Sequence, residues 1–104
     1  MIYLQTITVE DQSFQAVHVQ LPKTDLLAVA NNVGYIMCGA LDVDLLNDRL
    51  GDRNIIAGRA VGVRTIDELL EAPLQKITSS SKEYGWKEGM KGKDALMLIA
   101  KDHG

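Results

Sequence analysis

The sequence predicts an α+β fold, and three observations carry the prediction. Apolar and polar residues follow strand-like patterns from Ile2 to Cys38. Apolar spacing switches to a helical period at Leu41. A helix-capping pattern stands at Thr65-Ile-Asp-Glu68. The architecture expected is an antiparallel meander leading a mixed sheet of about five strands. Three to four helices pack mainly on one face, in a single domain spanning residues 1–104.

Residues 2–9 are rich in β-branched and aromatic types and read as the first strand. Glu10-Asp-Gln-Ser13 is a polar turn. From Phe14 to Leu21 the pattern alternates: Val17, Val19 and Leu21 share one face, and Phe14, Ala16, His18 and Gln20 the other. Pro22-Lys-Thr-Asp25 turns the chain, because proline fixes φ and lacks a ladder donor. Leu26–Ala30 and Tyr35–Cys38 are apolar on both faces and belong in the middle of the sheet, with a tight turn at Asn31–Gly34 between them.

Leu41, Leu45, Leu46 and Leu50 fall on one face of a helix, with Asp42 and Asp44 in its first turn. Ile55–Val63 reads as a fifth strand. One of its faces, Ile56, Gly58, Ala60 and Gly62, is almost bare and lets a helix or a second subunit approach closely. A short helix follows the capping box to about Ala72. Pro73 opens another, expected to run to about Tyr84. Gly89–Gly92 turns the chain into a last helix, Lys93–Lys101, with Ala95, Leu96, Leu98 and Ile99 on its apolar side.

With 104 residues, 46% hydrophobic and 24% charged, the chain can build one core without staples. The net charge of −3 argues against a general nucleic-acid partner, which needs a basic face. Residues 1–52 carry a net −5 and residues 53–104 a net +2. Lys82, Lys87, Lys91 and Lys93, interrupted by Glu83 and Glu88, read as a solvated face. One cysteine excludes an internal disulfide framework. No basic segment leads into a long apolar run, and no stretch reaches the roughly 20 apolar residues of a membrane span. The expectation is a soluble cytoplasmic protein without a membrane partner.

Four segments carry a resemblance: Leu21-Pro22, Gly34-Tyr-Ile-Met-Cys-Gly39, Gly62-Val-Arg-Thr-Ile-Asp-Glu-Leu-Leu-Glu-Ala72 and Gly89-Met-Lys-Gly-Lys-Asp-Ala-Leu96. In this order they resemble the YunC-like family of small prokaryotic proteins. The resemblance implies a small α+β domain. It transfers no catalytic residue, so any site must be argued from the residues themselves.

Cys38 is the first candidate. It ends an apolar run, and Gly39 bends the chain before a helix begins, where a thiol sees positive potential and gains thiolate character. The plain alternative is a small hydrophobe buried in a core strand. A cysteine enzyme needs a base. His18 is one candidate; His103, at the tail, is the other histidine. Arg59 interrupts an apolar strand face and Arg64 precedes the capped helix. Each either grips an anionic ligand or pairs with an acid of the fold, and Gly39 is the third candidate ligand-binding residue.

No metal and no cofactor is expected. One cysteine and two distant histidines make no zinc set. Asp42, Asp44 and Asp48 read as a solvated stripe. Gly58–Thr65 lacks the spacer and lysine of a phosphate loop. The leading expectation is an oligomeric ligand-binding or regulatory module, most simply a homodimer with a small-molecule ligand. The alternatives are a thiol-dependent enzyme using Cys38 and a structural protein without a ligand site.

Overall fold

The computed structural model describes residues 1–39 and 55–101. In chain order these form β1 (Ile2–Val9), β2 (Gln12–Leu21), β3 (Thr24–Ala30), β4 (Gly34–Met37), β5 (Ile56–Arg59), α1 (Ile66–Glu71), β6 (Lys76–Ile77), a 3₁₀ helix (Ser79–Tyr84) and α2 (Gly92–Lys101). The six strands make one mixed sheet in sequence order, β1 to β6. Neighbours are antiparallel except β4 and β5, which run parallel. The expected helix over Leu41–Leu50, with Asp42, Asp44 and Asp48, lies outside the described residues, as does His103.

The meander is as expected, and its turns show why. Glu10 and Asp11 both take positive φ, 49° and 70°, which closes the β1–β2 hairpin in two residues. Pro22 and Lys23 turn β2 into β3, with Lys23 at φ 65°. Asn31 Oδ1 accepts the backbone N–H of Val33 and of Gly34, at 2.8 and 3.1 Å, and sets the turn into β4.

The two sheet faces differ. One carries Phe14, Ala16, Leu27, Val29, Ile36, Ile56 and Ala60, all buried together with Leu69 of α1, Leu96 and Ile99 of α2, and Trp86, which follows the 3₁₀ helix. The face of β2 that looks less apolar in sequence is therefore the covered one. Val17 and Val19 lie on the other side, half-buried. Each large side chain in this core contributes roughly 1.5–3 kcal/mol. On the opposite face Tyr35, Met37 and Ile55 pack around Ala57.

The bare face of β5 is filled from within the chain. A Cβ on Gly58 would meet Leu74 Cδ1 at 3.0 Å and Trp86 Cζ3 at 3.2 Å. The indole occupies the space that the missing side chain leaves.

One expected strand and one expected helix change. The fifth strand is shorter than Ile55–Val63, ending at Arg59. The helix expected from Pro73 to Tyr84 is instead an isolated bridge from Pro73 to Lys91, then β6, then the 3₁₀ helix. The reason is partner choice. Gln75 N–H finds Arg59 C=O at 2.6 Å and Thr78 N–H finds Ala57 C=O at 2.9 Å, so the backbone bonds to the free edge of β5. The serines at 79–81 are too weak as helix formers to oppose this. Among the described residues no helix is long and apolar enough to cross a membrane.

Candidate functional site

His18 of β2, Leu27 of β3 and Cys38, the residue after β4, form one row across the sheet. His18 pairs with Leu27 in the β2–β3 register, and Cys38 N–H donates to Leu27 C=O at 3.0 Å. Strands lie about 4.8 Å apart, so β3 separates the imidazole from the thiol by about 10 Å of sheet. The structure does not bring His18 and Cys38 together as a nucleophile and its base. Cys38 is 6% exposed and belongs to the core cluster. Its Sγ accepts Leu27 N–H at 3.4 Å, and its S–H points to Asp25 C=O at 3.8 Å. Gly39 is exposed, and an added Cβ there would touch Val61 Cγ1 at 3.4 Å.

His18 has a different partner. Its Nε2 lies 3.4 Å from Asp25 Oδ1, and the Tyr3 ring packs against it with centroids 6.0 Å apart. The Nε2 atom is covered by protein, and its geometry to Asp25 is that of an ion-pair contact rather than an aligned hydrogen bond.

Two clefts meet at this pair. The first, about 340 Å³, is lined by His18, Gln5, Ile7, Thr65 and Asp67 among others. The second, about 350 Å³, is lined by Lys23, Thr24, Asp25, Val63 and Arg64. His18 and Asp25 thus stand on either side of a shared wall. The consecutive run Val63, Arg64, Thr65 and Ile66 borders both spaces. Cys38 lines neither cleft.

Local structure fixes Arg64 in place. Thr65 caps α1 by accepting Glu68 N–H at 3.1 Å, and Glu68 Oε1 answers back to Arg64 N–H at 2.7 Å. The box predicted from sequence is present, closing one residue earlier than the cap itself. Arg64 is consequently anchored by its backbone while its guanidinium makes no ion pair or side-chain hydrogen bond among the described residues. Lys23 is likewise without an ion partner there. Arg59 is used by the fold: its Nε donates to Gln75 Oε1 at 3.1 Å, and its backbone receives Gln75 N–H.

Sequence reasoning reached Arg64 and His18 and missed Lys23 and Asp25. The signal for Lys23 was present. Pro22 fixes the turn, and the residue after it then sits where glycine or asparagine is usual. Lys91 and Lys93, read as a solvated face, both bond the Glu71 carboxylate, at 3.3 and 2.8 Å. No group of three or more His, Cys, Asp or Glu side chains able to hold a metal occurs among the described residues.

The comparisons with known proteins agree with one another. The family model described as a domain of unknown function, DUF1805, matches residues 37–99. The uncharacterized protein YunC of Bacillus subtilis is 57% identical over 101 residues, covering 97% of this chain and 100% of that protein. The crystal structure of a protein of unknown function from Thermoplasma acidophilum superposes with a TM-score of 0.83. Its sequence is 25% identical, and the match covers 93% of this chain and 91% of that one. The chain belongs to the DUF1805 family.

Proposed function

We propose that this protein is a binding module for a small anionic molecule, held by Lys23 and Arg64 in the cleft between the β2–β3 turn and the residues leading into α1. One observation carries the reading. Two cations from distant parts of the chain line one cleft of about 350 Å³, and neither has an ion partner among the described residues. A guanidinium grips a carboxylate or phosphate through two parallel N–H donors, and an ammonium adds a point charge beside it. The volume lies within the range of small-molecule sites.

The backbone supports the same reading. Lys23 holds φ 65°, a conformation that costs a side-chain-bearing residue roughly 1–2 kcal/mol. Lys23 lines the cleft from this strained position, where glycine would be unstrained. Asp25 lines the same cleft, and its Oδ1 lies 3.4 Å from His18 Nε2. The free, buried thiol supports a cytoplasmic location, where disulfides are not used.

The test is a titration with inorganic phosphate and with succinate, followed by backbone amide NMR. Saturable shifts are expected at residues 23–25 and 63–65. Arg64→Ala is expected to weaken binding at least tenfold, or about 1.4 kcal/mol. Shifts that never saturate, or that persist unchanged in Arg64→Ala and Lys23→Ala, overturn the reading.

A further inference from the structure

We propose that β1 is a self-association edge, pairing antiparallel with β1 of a second copy of this chain to continue the sheet across a two-fold axis. Among the described residues nothing pairs with the outer edge of β1, which is an open template. Met1 and Gln20 exchange both backbone hydrogen bonds, at 2.9 and 2.7 Å, and the register with β2 runs unbroken from Ile2 to Val9. Antiparallel ladders alternate, so Tyr3, Gln5, Ile7 and Val9 bond inward to β2. Ile2, Leu4, Thr6 and Thr8 therefore turn their N–H and C=O groups outward.

Folded proteins protect such edges with lysines, prolines, bulges or very short strands. This one has none of these. β1 is eight residues long, unbulged, and free of charge, proline and glycine. Ile2 and Leu4 are 65% and 72% exposed, and Tyr3 is 47% exposed. Ile2 and Leu4 extend the half-buried apolar face of Val17, Val19 and Leu26 to the rim of the sheet.

The charge pattern selects a second copy as the occupant. A neutral strand can lie beside its own image without like charges meeting. The flanking turns are opposite in sign: Glu10 and Asp11 at one end of β1, Lys23 beside the other end, where Gln20 meets Met1. Antiparallel pairing sets the acidic turn of each copy toward the basic turn of its partner, whereas parallel pairing stacks like on like. An isologous contact of this kind closes on itself as a dimer. Gln5, Ile7 and Thr8 also wall the His18 cleft, so the partner strand lies alongside it.

Light scattering after size exclusion, on the full chain, tests the proposal. The wild type is expected at twice its 11.4 kDa chain mass. Leu4→Pro removes one outward N–H without breaking the β1–β2 ladder, and Leu4→Lys places like charges across the axis. Both are expected to be folded monomers by circular dichroism. Hydrogen exchange decides independently, should Leu4→Pro fail to fold. The Thr6 and Thr8 amides are expected to exchange at least tenfold more slowly in the wild type than in Leu4→Lys. A monomeric wild type overturns the proposal, as does a dimer in which both amides exchange freely. A folded Leu4→Lys variant that still dimerises with both amides as protected as in the wild type likewise overturns it.

Discussion

Lys23, in the turn between β2 and β3, and Arg64, one residue before the α1 cap, line the same cleft. The first prediction separates what Lys23 does for the fold from what it does for a ligand. Replacing it with glycine relieves a left-handed conformation worth roughly 1–2 kcal/mol but adds about 0.5–1 kcal/mol of unfolded-state freedom. Lys23→Gly is therefore expected to be as stable as the wild type or more so, by up to about 1.5 kcal/mol, in urea denaturation. Phosphate or succinate should bind it more weakly. A variant that loses stability, or binds as well as the wild type, contradicts the role given to this lysine.

A second prediction concerns Cys38. Its sulfur is buried, accepts Leu27 N–H and stands in the core cluster. Alkylation by iodoacetamide is expected to follow opening of the fold, not encounter with the native surface. The rate should be at least a hundredfold below that of a free thiol and should rise steeply with urea. A native-state rate equal to that of a free thiol places the sulfur at an accessible surface and reopens the thiol-enzyme reading.

Thr78 supplies a third. Its hydroxyl accepts Ala57 N–H at 3.2 Å and donates to Ile55 C=O at 2.7 Å, and the residue is 2% exposed. Thr78→Val keeps the shape and strands both backbone groups. An unsatisfied buried group costs about 1–3 kcal/mol, so the loss should fall in that range or above it. Thr78→Ser keeps the hydroxyl and should cost less than Thr78→Val. Equal losses in the two variants show that packing, not the hydrogen bonds, holds this corner.

These sites show which parts of the structure can be read from residues alone. Strands β1 to β4 were legible because alternation, proline and asparagine act over neighbouring positions. The Thr65–Glu68 box was legible for the same reason. The segment after Pro73 was not, because its backbone bonds to Arg59 and Ala57, and local pattern carries no record of that free edge. Gly58 announced a close approach without naming Trp86 as the visitor. At the site, Arg64 was visible as the cation that precedes the capped helix. Its meeting with Lys23, and that of His18 with Asp25, depend on strand register.

The last prediction rests on Glu71, whose carboxylate receives Lys93 at 2.8 Å and Lys91 at 3.3 Å. The hydrogen bond from Lys93, then that from Lys91, holds the Glu71 carboxyl below its ordinary range. The Glu71 bond in turn raises Lys93 above its usual value. A depressed carboxyl stabilises the fold above its unfolded pKa and loses that effect as pH falls through the folded value. A raised lysine stabilises below its unfolded pKa and loses that effect as pH climbs through the folded one. Glu71→Gln is thus expected to lower the melting temperature most at neutral pH. The gap from wild type should close on the acid side as Glu71 protonates, and again on the strongly alkaline side as Lys93 deprotonates. All three groups are exposed at the surface, so added salt should also shrink the gap. A difference that persists unchanged into acid removes the ion pairs as its cause.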